Sequence, residues 1–381
     1  MASKAIIELD SLLKPVSKKN PVGDDIRDSP SATSPYFTIK DARNTARSAE
    51  RTHMVAKIHK FDTANSEADQ HWHSILDLAP DILENQAKDL EIASWYTEAL
   101  LRRHGFQGLR DGFKLILGLI EQYWDNLYPM PDEDGLETRV ASLSGLNGEG
   151  SEGVLIAPIR NVEITQGNDP GPYSYWKYQQ ALDIDKTIDE AEKKGKVGKL
   201  GFSLGDIDQA VVESDEAFFV DLRDDINNAL ETYREISQKL DEHCSIDDSP
   251  PTSNIINTLQ DCLGVVKHIG RSKLPAPETE LSESTSDSSA IEDQASAASP
   301  GASHRHAGPI KNRQDAFKQL KDISDFFRST EPHSPISYII ERAVRWGDLP
   351  LDSLIKELIP DPSARDVFGS LTGVKSGDGN S

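Results

Sequence analysis

Two histidines flanking a tryptophan, His71-Trp72-His73, are the first residues here with the types and spacing of metal chemistry. Both imidazoles would have to reach one ion. Positions i and i+2 share a face on a strand, but on a helix they diverge by about 200°. The surroundings read helical, which makes Trp72 a core residue and the histidines its polar flanks. His304-Arg305-His306 lies among small and acidic residues and reads as a solvated patch. Asp24-Asp25 and Asp132-Glu133-Asp134 are paired carboxylates of the kind that bind cations or move protons. Both lie beside Pro or Gly at turns, so Asp24 is assigned to a turn or helix cap. The glycine repeat at residues 145–153 lacks the lysine and the strand–helix context of a phosphate loop and reads as a flexible loop. Cys244 and Cys262 have no metal-site spacing. A disulfide between them is geometrically open, and a reduced cytosolic pair is the simpler reading. No catalytic residue, metal site or cofactor site emerges.

Charge narrows the partners. The formal charge of -23 repels phosphate backbones and anionic membranes at long range, and no Lys/Arg cluster stands out. Nucleic acid and membrane insertion are therefore not expected. No apolar run approaches the roughly 18 residues of a membrane span, and the opening residues lack the features of a signal peptide. A soluble, cytoplasmic protein is expected. A chain of 381 residues implies two or three domains. Its 36% hydrophobic content, below the globular norm, implies that part of it stays unfolded.

The elements that would position these residues are helical, and the fold class expected is all-α. Ile6, Ile7, Leu9, Leu12 and Leu13 fit one face of a short helix before the Pro21-Val22-Gly23-Asp24-Asp25 turn. Residues 39–58, charged and poor in large apolar side chains, suit a solvated helix. Trp72, Ile75, Leu76 and Ala79 form the next apolar face. Leu90, Ala93, Tyr96, Leu100 and Leu101 recur at helical spacing up to Gly105, and Phe106, Leu109, Phe113, Ile116, Ile120 and Trp124 continue after it. The two stretches should form an antiparallel pair. Gly108, Gly112 and Gly118 weaken the second intrinsically, and close approach of a neighbouring helix would compensate. Lys88, Asp89 and Glu91 read as a charged helix start rather than an ion network. Trp95 and Trp124 read as core residues joining the two helices, so the expected core of this region includes Trp72, Leu90, Trp95, Phe113 and Trp124. Val154-Leu155-Ile156-Ala157 is a strand or a buried turn. Helices resume to about residue 270.

Residues 271–309 are rich in Ser, Ala, Pro and acid, too poor in apolar surface to offset ordering, and read as a disordered linker. Beyond them Phe317, Leu320, Ile323 and Phe327 form a helical stripe. Ser334-Pro335 starts a helix carrying Ile336, Ile339, Ile340 and Trp346, and third and fourth helices follow through Leu358 and Leu371. Some 65 residues make a marginal core, a physical reason for self-association. Glu331, Pro332, Ser334 and Pro335 form a corner that either shapes an oligomer interface or joins two helices within one subunit. Candidate oligomerisation residues are Phe317, Leu320, Phe327, Glu331, Ser334, Pro335, Ile339 and Trp346. The domains expected are residues 1–160 and 161–270, both helical, the linker 271–309, and an oligomerisation domain at 310–374.

Several of these stretches resemble a known family. Pro21-Val22-Gly23-Asp24-Asp25-Ile26-Arg27, Lys88 to Trp95, Gly105 to Gly112 and Tyr123 to Pro129 resemble the ImpA N-terminal family of bacterial type VI secretion. Arg313 to Ala316, Phe326-Phe327-Arg328 and Glu331 to Ile336 resemble the C-terminal block of the shorter TssA-type members. The resemblance implies a non-enzymatic, cytoplasmic assembly protein without cofactors. It implies a ring of identical subunits formed by the C-terminal domain, with baseplate, sheath and inner-tube proteins as partners. A helical adaptor that forms no ring, or a metal-dependent hydrolase built on His71 and His73, are the alternatives.

Overall fold

The computed structural model describes residues 2–29, 31–58, 65–133, 135–244, 248–275, 313–330, 336–348 and 354. The chain divides into two units, Met1–Thr285 and Ser286–Ser381. Among the described residues the fold is all-α: helices follow one another and only isolated β-bridges occur.

In the first unit, residues from Ile7 to Val266 share one hydrophobic core. The first helix, α1 (Leu9–Leu12), is a single turn. The longer N-terminal helix expected there does not form, because the preceding backbone is committed elsewhere: the Ile6 N–H donates to Asp111 Oδ2 at 2.7 Å and the Ser3 N–H to Asp225 Oδ1 at 3.1 Å. Helix α2 (Pro35–Ile58) is not merely solvated either. Ile39, Ala42, Ala46 and Ala49 are buried at steps of three and four, a face of small side chains that lets α2 lie along α3 (Asn65–Asn85). Helix α3 buries Trp72, Ile75, Ala79, Ile82 and Leu83, and its Trp72 Nε1–H donates to Glu50 Oε1 of α2 at 2.7 Å.

Helix α4 (Leu90–Tyr123) begins at Asp89, whose carboxylate accepts from the Glu91 and Ile92 N–H groups. At Gly105 the backbone turns through φ 58° and ψ -140°, a combination that only glycine adopts without strain. The chain reverses there. The second half returns antiparallel to the first, Gly108 beside Leu100 and Gly112 beside Thr97. A Cβ on Gly108 would lie 2.2 Å from the Leu100 carbonyl oxygen, so close helix approach is what compensates the weak helix former. The returning half ends in a 3-10 turn at Trp124–Asn126, and the Leu90 N–H donates to Tyr128 O at 2.7 Å, joining the two ends of the hairpin.

Helices α5 (Glu137–Asn147), α6 (Ile156–Asn161), α7 (Tyr175–Asp185), α8 (Glu190–Leu200) and α9 (Leu204–Glu213) follow. Residues 154–157 are thus a turn running into a helix, not a strand. The ends of the glycine-rich stretch before them are joined: the Val154 N–H donates to Gly145 O at 3.1 Å and the Leu155 N–H to Leu146 O at 3.2 Å. Helix α10 (Glu216–His243) buries Phe219, Ile226, Ala229, Tyr233, Ile236 and Leu240 against α4, with the Tyr233 and Phe113 rings 4.7 Å apart. Helix α11 (Ser253–Ile269) closes the unit. Trp95 stacks on Tyr36 of α2 at 5.8 Å and Trp124 on His243 of α10 at 4.6 Å. Through these rings the two tryptophans fasten the α4 hairpin to its neighbours.

In the second unit, α12 (Arg313–Thr330) packs on α13 (Ile336–Asp348). Most of the expected linker, and the third and fourth C-terminal helices apart from Leu354, lie outside the described residues.

Candidate functional site

Polar chemistry in the first unit is concentrated in buried ion pairs. Arg27 reaches from the Pro21–Arg27 turn to Asp89 Oδ2 and Glu91 Oε2, both at 2.6 Å, and its guanidinium lies 4.8 Å from the centre of the Tyr36 ring. Burial pulls the Arg27 pKa down, but the two carboxylates outweigh it and hold it above the ordinary value. Asp89 is therefore both a helix cap and part of an ion network, where the sequence suggested the cap alone. Beside it Lys88 is fully buried, its ammonium donating to Leu12 O at 2.7 Å and Leu83 O at 2.6 Å. Burial lowers the Lys88 pKa to about 8. Deeper still, Arg110 Nη1 pairs with Asp225 Oδ1 at 2.5 Å and Arg110 Nε with Asp111 Oδ1 at 2.7 Å, and Ser3 Oγ–H donates to Asp225 Oδ2 at 2.6 Å.

These groups are held by one another and hold the fold. Asp24 accepts from Asn20 Nδ2 at 3.0 Å within its turn, and Asp132 sits in a turn closed by Gly135 N–H at 3.1 Å. His73 lies 3.9 Å from Asp77 on an exposed surface. Among the described residues no three His, Cys, Asp or Glu side chains converge as metal ligands, and no helix is long and apolar enough to cross a membrane. Cys244 and Cys262 are free and buried, and burial pushes the Cys262 thiol up to about 12, far from a reactive thiolate at neutral pH.

The second unit is built differently. Among the described side chains where α12 meets α13, those fully buried are two serines, and Ser324 Oγ–H donates to Ser337 O at 2.8 Å. Several large apolar side chains face outward. Of the candidate residues, Leu320 and Ile339 are exposed, Ile339 by 62%, while Phe317, Phe327 and Trp346 are half-buried. Arg313 lies 5.1 Å from the centre of the Phe317 ring and Arg342 lies 5.0 Å from that of Trp346. The Trp346 indole N–H is enclosed without an acceptor. Ile323, Phe326 and Tyr338 add to the exposed set; Tyr338 was not singled out because an aromatic at a helix start carries no periodic signal of its own. Glu331, Ser334 and Pro335 lie outside the described residues. Trp72, Leu90, Trp95, Phe113 and Trp124 are all buried in the first unit.

Three comparisons bear on this arrangement. Residues 13–148 match the family model described as ImpA, N-terminal, type VI secretion system. Type VI secretion system component TssA1 of Pseudomonas aeruginosa is 24% identical over 312 residues, covering 80% of this chain and 84% of that protein. The solved N-terminal domain, including the conserved ImpA_N region, of the TssA component from Burkholderia cenocepacia overlays with a TM-score of 0.57 at 24% identity. It spans 71% of this chain and 96% of its own.

Proposed function

The chain belongs to the ImpA N-terminal family of type VI secretion, and from that premise we propose that it is a non-enzymatic assembly component that forms a ring through residues 310–374. The observation that carries the ring is the inverted polarity of the α12–α13 pair: serines between the helices, and Leu320, Ile323, Phe326, Tyr338 and Ile339 outside. An apolar face of this kind on a small unit is covered, when head-to-tail contacts close a ring, by a different surface of the next copy. Each copy would present its N-terminal unit as an arm. Many arms on one ring raise the effective concentration for the repeated baseplate, sheath and inner-tube subunits of a tail without new contact chemistry. The setting for that work is the cytoplasm.

Light scattering on the full-length protein tests the reading. A mass of several protomers is expected, and Phe326→Asp with Ile339→Asp should reduce it to one. A monomeric wild type at micromolar concentration would sink the ring and leave the helical adaptor.

A further inference from the structure

A cleft of about 1140 Å³ opens beside the Gly105 reversal, with α2 and the end of the outgoing half of α4 on one side and α10 with the segment before it on the other. Four arginines, Arg47, Arg51, Arg102 and Arg103, line the first side, and Arg43 lies one turn before Arg47 on α2. Arg43 Nε pairs with Glu98 Oε1 at 2.7 Å, and Arg102 Nε pairs with Glu50 Oε1 at 2.6 Å while its guanidinium covers the Trp72 ring at 4.1 Å. Those contacts engage the two carboxylates present. The one carboxylate oxygen left over, Glu98 Oε2, is buried and accepts no hydrogen bond; Arg102 Nη1 stands 3.8 Å away, ion-pair range only. Arg47, Arg51 and Arg103 line the cleft, and among the described residues none of them has a side-chain hydrogen bond or ion pair. Burial first, then the guanidiniums of Arg43, Arg102 and Arg51, pull the Arg47 pKa below its ordinary value against the opposing pull of Glu98. Holding like charges together this way is unfavourable unless a counter-charge is bound. It is the more telling in a chain with 64 acids against 41 bases, where carboxylates were plentiful.

We propose that this cleft docks an acidic, partly apolar polypeptide segment of another protein, its carboxylates on Arg47, Arg51 and Arg103. A cleft of about 1140 Å³ has room for a short polypeptide segment. Phe106, Val162 and Phe218 also line the cleft, and away from the arginines its lining carries Glu163, Asp215 and Asp221, with Asp225 paired to Arg110. A nucleic-acid strand, negative along its whole length, would bring phosphates against those aspartates. A polypeptide can place acids at one edge and apolar side chains in the middle. The inference does not depend on the ring, since a monomer would bind the same segment.

The test is fluorescence polarisation of full-length protein with a labelled peptide of Glu and Leu residues. Binding that weakens as salt is raised is expected, with affinity about tenfold or more lower in Arg47→Glu/Arg51→Glu. Arg103→Glu, at an exposed position, should act in the same direction, with circular dichroism checking that each variant is folded. Asp221→Asn should bind as well as wild type or better. The proposal is overturned if the arginine variants bind as wild type does. It is equally overturned if a single-stranded oligodeoxynucleotide binds as tightly, or if millimolar inorganic phosphate displaces the peptide completely. Binding that appears only after deletion of residues 278–293 would overturn it too, by giving the cleft to the chain's own acidic stretch.

Discussion

The two units of this chain sort polarity in opposite ways. The described part of the first unit encloses several charges: Lys88, Asp89, Glu98, Arg110, Asp111 and Asp225 are all buried, and ion pairs or hydrogen bonds hold every one of them. In α12–α13 it is serine hydroxyls that are enclosed, while isoleucine, phenylalanine and tyrosine face out. Burying an ion costs several kcal/mol unless its partners are built in, so a unit that does so repeatedly is complete in itself. An exposed apolar face on a small helical pair marks the reverse, a surface awaiting cover. On the proposed reading, stability and self-association are properties of different ends of the molecule.

The largest effect that would break this contrast is expected at Asp225. It joins Arg110, the Ser3 hydroxyl and the Ser3 N–H, tying the first residues to α4 and α10. Asp225→Ala strips the buried Arg110 of one of its two carboxylates, which should cost about 3–5 kcal/mol. Urea unfolding of full-length protein reads this as a large fall in the midpoint, with oligomer mass unchanged below the transition. A small fall would mean that the interior is wetter than it looks.

Gly108→Ala comes next. The added Cβ meets the Leu100 backbone, which cannot swing aside as a side chain would. Overpacking of about 1–3 kcal/mol should outweigh the helix propensity of up to about 1 kcal/mol that alanine brings. The same urea experiment decides the sign; a stabilised variant would show that the two halves of α4 are not in tight contact.

Much of this hairpin was legible in the sequence. The three-and-four spacing on either side of Gly105, and three glycines in a helix that should not want them, implied an antiparallel pair in close approach. The fastening of Trp95 and Trp124 was not legible, because periodicity identifies a buried face without saying what lies against it. The ion pairs were hidden for a related reason: Arg27 is 62 residues from Asp89 and Arg110 is 115 from Asp225. The arginine cleft escaped because its charges are spread over two helices, Arg43, Arg47 and Arg51 a turn apart on α2 and Arg102 and Arg103 on α4. No run of bases appears along the chain, although the i, i+4, i+8 spacing was there to be read. The exposed face of α12–α13 came from the same apolar stripe that predicted those helices, since a stripe looks alike whether it meets its own chain or another copy.

Lys88 sharpens the contrast by pH. Unfolded it titrates near 10.4, and folded at about 8 because burial disfavours its charge. Between those values the unfolded chain holds the extra proton, so this residue makes stability rise with pH, by on the order of 1–2 kcal/mol. Cys262, pushed up to about 12, works with the opposite sign over part of the same range. The Lys88 contribution is therefore the difference between wild type and Lys88→Met, measured as unfolding free energy from pH 7 to 10. A difference that stays flat would mean that Lys88 reaches water and is not enclosed as described.

The smallest effect is expected from an exposed ion pair that joins α12 to α13. Arg328 Nη2 meets Glu341 Oε2 at 2.6 Å, as short as the Arg27–Asp89 pair, yet both side chains are 45% exposed. Water screens the attraction, and holding two long side chains in one geometry costs entropy that offsets what remains. Chemically this pair matches Arg110–Asp225; only its surroundings differ. Replacing both residues by alanine should leave the unfolding midpoint where it was. If the double variant fell apart as Asp225→Ala is expected to, the second unit would be closing on its own polar contacts, and its apolar face would need no second copy to explain it.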